Sequence, residues 1–155
     1  RNAHMTVDEL DALFNKRSGM MGMTGFGDLR EVHRLVAEGN EDAKLALDVY
    51  VHRIVGYIGN YTAQMGGVDV ITFTAGVGEN DDVVRKMVCD KLAPFGVKLD
   101  EEKNATRSKE PRIISTPDSK ITICVIPTNE ELAIARKSAA IAEAGEDTYG
   151  NVFSK

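Results

Sequence analysis

A chain of 155 residues, 43% hydrophobic and 28% charged, has the length and composition of one ordinary domain able to bury a core. No apolar run approaches the ~20 residues of a membrane-crossing helix and no secretory signal pattern opens the chain, so a membrane role is not expected. A net charge of −5 without a Lys/Arg stripe argues against nucleic acid as a partner. A small polyanion such as a nucleotide stays possible, given a cation and a well-placed Arg to offset the acidic background.

In chain order, Arg1 to Met5 read as a tag remnant ahead of a start-like methionine and are set aside. Thr6 followed by Asp8 and Glu9 marks a helix start, with Leu10, Leu13 and Phe14 at helical spacing up to residue 18. Residues 18–27 are too rich in glycine for a regular helix and too apolar for a linker, which predicts a loop held against the body. Asp28 to Ala37 has a helical apolar face of Leu29, Val32, Leu35 and Val36. Asp28 is placed to cap it, with Glu31 as a capping-box partner.

Asn40 caps the longest helix, whose stripe of Leu47, Val51, Ile54, Ile58 and Tyr61 is joined by apolar residues on other faces. Gly66 and Gly67 stop it. Val68 to Thr74 is β-branched and apolar, as in a central parallel strand. A glycine-rich turn at 75–80 leads into a helix from Asp81 to Leu92. Residues 95–120 are mixed, with a short helix near Asp100–Arg107 and a weak strand at 112–115. Ile121 to Ile126 is a second buried strand, and a last helix runs from Asn129 to about Ala144.

This alternation predicts an α/β layer architecture with parallel strands. Two confident strands make a poor sheet alone, so further strands are expected ahead of residue 6. Cys89 and Cys124, in separate apolar segments without metal-ligand spacing, are expected to be buried thiols of a reducing, cytoplasmic environment. His33 and His52 have no ligand-type neighbour at a convincing spacing and read as surface or packing residues.

Ligands of open parallel sheets gather beyond the C-terminal strand ends. Two turns qualify. Thr74 to Asn80 is neither a P-loop nor a dinucleotide fingerprint, since no GK[ST] follows and Asp81 stands where a third glycine belongs. Asp81 and Asp82 in the next helix would repel phosphate, so the turn suits the base and ribose of a nucleotide. Read as structure alone, it is a tight turn with Asn80 as a cap. In the second turn, Pro127 to Glu131, Thr128 and Glu131 form an expected capping box, leaving Glu130 to serve the helix dipole or a hard cation. Arg30 could offset phosphate charge or stack on an adenine.

Gly19-Met20-Met21-Gly22 with Gly27-Asp28-Leu29-Arg30-Glu31, then Phe73 to Asn80, then Ile126 to Leu132, and Ser115-Thr116-Pro117-Asp118-Ser119 resemble signature segments of the acetate kinase family in the same order. The likeness runs from about residue 6 to about residue 143. It implies a ribonuclease-H-like lobe of the kind shared with sugar kinases, Hsp70 and actin, an incomplete mixed sheet flanked by helices. On that reading residues 6–145 are part of a C-terminal nucleotide-binding lobe and 146–155 a flexible tail. The implied reaction is reversible, Mg²⁺-dependent transfer of the ATP γ-phosphoryl group to acetate, giving acetyl phosphate and ADP.

By the same resemblance Asp28, Leu29 and Arg30 match a nucleotide-contacting segment. Gly76, Val77, Gly78, Glu79 and Asn80 match the adenosine turn, and Glu130 a Mg²⁺ ligand. Many relatives have Gly-Gly-Ile-Gly where this chain has Ala75 and Val77; neither change is expected to impair binding. The family's catalytic Asn, two Arg, Asp and two His have no counterparts here, so no catalytic residue is assigned and the isolated chain is expected to be inactive. The family also implies a homodimer. Propionate or butyrate kinase, or a non-catalytic dimerising module, are the alternatives. A dehydrogenase-like dinucleotide binder is disfavoured by Asp81.

Overall fold

The computed structural model describes residues 5–144. Residues 1–4 of the expected tag remnant and the expected flexible tail at 146–155 lie outside them. Helix α1, Val7–Lys16, starts at a complete capping box in which Thr6 accepts from the Glu9 amide and Glu9 returns the bond.

The glycine-dense stretch departs from its expected form. Gly19–Thr24 is a short helix, α2, ended by Gly25 in the left-handed conformation. Its glycines allow this because α2 is braced from outside: Met20 packs on the core and the Thr24 hydroxyl donates to the Met20 carbonyl. Only residues 25–28 remain as loop.

Helix α3, Leu29–Ala37, carries the apolar face expected of it, with Val32 fully buried and Leu29, Leu35 and Val36 packed against the core. Helix α4, Glu41–Met65, is capped by Asn40, which accepts from the Ala43 amide. Ala43, Ala46, Leu47 and Val51 are buried along it. The stripe fails at its far end: Tyr61 is 56% exposed, as are Leu45, Val49, Tyr57 and Met65 to similar degrees, because nothing in the described residues covers those faces.

Three strands form a mixed sheet in the order β1-β3-β2: β1 is Val70–Phe73, β2 is Arg112–Ile113 and β3 is Thr122–Val125. The expected parallel pairing is present between β1 and β3, Ile71 facing Ile123 and Phe73 facing Val125, while β2 joins antiparallel. The central strand is β3, however, and β1 is an edge with alternate residues exposed. Its β-branched run reads as central because Ile71 and Phe73 do pack on the core; Val70 and Thr72 point the other way.

Residues 75–80 are likewise a short helix, α5 (Ala75–Asn80), not a plain turn. It abuts α6, Asp82–Lys91, which a 3₁₀ turn at Ala93–Phe95 terminates. Helix α7 spans Glu101–Ala105 and α8 spans Glu130–Ala144. Val32, Leu47, Val51, Val84, Val88, Ile123 and Val125 share one core between the sheet and α3, α4 and α6. Cys89 lies in that core and burial pushes its thiol up to about 11, whereas Cys124 is only half-buried. No described helix is long and apolar enough to cross a membrane.

Candidate nucleotide cleft

The parallel pair β1 and β3 ends at one edge of the sheet, and the segments after both strands meet there. The Thr128 amide and hydroxyl both donate to Oε1 of Glu79, at 2.8 and 3.0 Å. These bonds hold the Glu79 carboxyl below its usual range. They also displace the expected capping box. With Thr128 turned to Glu79, the cap of α8 is Asn129, which accepts from the Leu132 amide. Asn80 is not a cap either; its amide donates to the Gly76 carbonyl, and Asp81 caps α6 by accepting from Val84.

Beside this edge lies an open cleft of about 1090 Å³. Six of the nine residues expected at a nucleotide site line it: Asp28, Leu29, Arg30, Gly76, Val77 and Asn80. One wall is the start of α3. Asp28 caps that helix by accepting from the Arg30 amide at 2.9 Å, and the Arg30 guanidinium folds back onto both of its oxygens. Those bonds bring the Asp28 carboxyl down to about 2 and raise Arg30. Glu31 pairs with Arg34, so the expected Asp28–Glu31 box does not form. Arg30 remains outward-facing, rooted at Asp28 with its side chain almost fully exposed.

The opposite wall is α5 and its junction with α6. Ala75 enters α5 at φ 59°, a left-handed conformation unusual for a residue with a side chain. Gly78 sits against the β1 terminus, where a Cβ would lie 3.2 Å from the Phe73 carbonyl carbon. Gly78 and Glu79 therefore build the turn from behind and do not line the cleft. Glu130, exposed in the first turn of α8, does not line it either. Among the described residues no three His, Cys, Asp or Glu side chains gather as a metal centre.

Several contributors escaped the reading of the sequence. Met20 and Tyr50, taken as core or interface, form part of the cleft, as does Arg107. Burial, with the Asp81 charge as a lesser cause, raises the Tyr50 phenol. His33, taken as a surface or packing residue, lines the cleft and binds Asp81 through Nε2 at 2.7 Å.

Arg85 is 2% exposed and braces the α5 wall. Its Nη1 donates to the Gly78 and Glu79 carbonyls, both at 2.9 Å, while Nε and Nη2 donate to the Asn104 side chain and carbonyl. Burial and the nearby Arg112 charge lower its pKa. The signal was present: Arg85, Val88, Cys89 and Leu92 follow the 0-3-4-7 spacing of a buried helical stripe. A charge on such a stripe needs polar partners.

Comparison with known proteins places these features in context. Residues 1–136 match the family model described as the acetokinase family. The chain is 53% identical over 144 residues to the acetate kinase of Desulfotalea psychrophila, covering 93% of this chain and 36% of that protein. Among solved structures, Porphyromonas gingivalis acetate kinase superposes with a TM-score of 0.80 at 41% identity, covering 89% of this chain and 35% of that one. A propionate kinase from Francisella tularensis superposes at 0.77 with 39% identity, over 86% and 34% respectively. The chain thus spans about a third of the length of the curated relatives it matches.

Proposed function

The chain belongs to the acetokinase family, and on that premise we propose that it is the nucleotide-binding part of a cytoplasmic acetate kinase. The reaction is reversible transfer of the ATP γ-phosphoryl group to acetate. The observation that carries this reading is the convergence of Asp28, Leu29 and Arg30 with Gly76, Val77 and Asn80 on one cleft. The base and ribose lie between the walls, where Leu29, Val77 and Tyr50 offer apolar surface. The exposed Arg30 fork turns toward base or phosphate. Asp81 and Asp82 already occupy the N-terminus of α6, which directs phosphates away from that helix end.

Gly78 and Glu79 act behind the site by shaping the turn. Glu130 stands alone, which fits a cation that arrives on nucleotide phosphates and needs only one or two carboxylates from the protein. Mg²⁺ bound in that way would neutralise phosphate charge near the strand ends.

The exposed apolar side chains of α4, Leu45, Val49, Tyr57 and Tyr61, support a homodimer. Sedimentation giving only monomer mass would contradict that part. The likeness to a propionate kinase keeps propionate as a second acceptor, since one methylene in an acyl pocket is worth only about 1–3 kcal/mol. Phosphoryl transfer depends on groups placed around the moving phosphoryl, and none is assigned in these 155 residues. Incubated alone with ATP, Mg²⁺ and acetate, the chain is expected to make no acetyl phosphate. Turnover would show that it carries catalytic groups this reading does not assign.

A further inference from the structure

We propose that His33 and Asp81 are positioning residues that clasp the two walls of the cleft and thereby set nucleotide affinity. The inference rests on the nucleotide reading above and extends it to a pair not assigned any role there. His33 lies on α3, one turn beyond Arg30, and Asp81 is the joint between α5 and α6. Their 2.7 Å bond is, among the described residues, the one side-chain hydrogen bond joining the helix that carries Asp28–Arg30 to the segment that carries Gly76–Asn80.

Both Asp81 oxygens are committed: Oδ2 faces His33 Nε2, and Oδ1 accepts from the Val84 amide. A carboxylate only accepts, so Nε2 carries the proton. The clasp therefore holds whether the ring is neutral or charged. The two side chains are 25% and 12% exposed, so the bond is shielded from competing water more than a surface pair.

A bound nucleoside must touch both walls at once, and a misplaced wall weakens binding without removing any contacting atom. With one hydrogen bond worth about 0.5–1.5 kcal/mol net, its loss should weaken binding about three- to ten-fold.

The test is calorimetric titration of the full chain with ADP, alongside thermal unfolding of each variant. His33→Ala should weaken ADP binding by that factor, and His33→Gln, whose amide reaches as far as Nε2, should restore it. Asp81→Ser keeps a good helix cap but is too short to reach His33, and should match His33→Ala. The double variant should bind no worse than either single one. Unchanged affinity in His33→Ala would overturn the clasp while leaving the nucleotide reading intact. So would additive losses, or a loss that follows a lowered unfolding temperature and is not rescued by glutamine. Failure of the unaltered chain to bind ADP would overturn both.

Discussion

Arg85 is the residue on which the α5 wall depends most. Its guanidinium satisfies two carbonyls at the end of a short helix and two oxygens of Asn104, while the Asn104 amide reaches the Asp82 carbonyl. A fork of several donors is needed, and an ammonium cannot reproduce it. Arg85→Lys is expected to cost about 2–3 kcal/mol in urea unfolding, the range for losing hydrogen bonds made by a charged group. A loss below a few tenths would mean that the network is ornamental. At this scale the sequence was partly legible. The caps at Thr6, Asn40 and Asp100 follow from local residue order, and the structure has all three. The capping box at Thr128 did not form because a carboxylate 49 positions away competes for the same hydroxyl and amide. No local pattern reports such a partner, nor the 48 residues between His33 and Asp81.

Among the elements, α5 combines strain with a job. Ala75 holds φ 59° where a side chain costs about 1–2 kcal/mol, and glycine would relieve it while loosening the unfolded chain by about 0.4–1 kcal/mol. Ala75→Gly is therefore expected to stabilise by about 0.5–1 kcal/mol in thermal unfolding, with the helix retained. Destabilisation would show that the Ala75 methyl packs usefully. Elements with a clear period, α3, α4 and α6, could be read from their apolar spacing. The two short helices could not: glycine lowers helix propensity, and what holds them is tertiary. Met20 on the core braces one, and Arg85 beneath its carbonyls braces the other. The rank of β1 in the sheet was equally hidden, since a β-branched run reports burial of one face and not the number of neighbours.

Over the whole molecule, topology does the assembling. Parallel pairing of β1 with β3 sends both following segments to the same sheet edge, and the Glu79–Thr128 bonds tie them there. Helix α3, anchored on the core through Val32, brings Arg30 opposite α5. The outer edge of β1 and the apolar side chains of α4 stay uncovered among the described residues, surfaces that suit the rest of a protein about three times as long. The central claim is that this cleft takes the nucleoside. Backbone amide NMR of the full chain during titration with ADP, first without and then with Mg²⁺, tests it most directly. The expected result is shifts at residues 28–30 and 76–80, further movement near Glu130 only when Mg²⁺ is present, and weaker binding in Asn80→Ala and Arg30→Ala. Shifts confined to other surfaces, with both cleft walls silent, would contradict it.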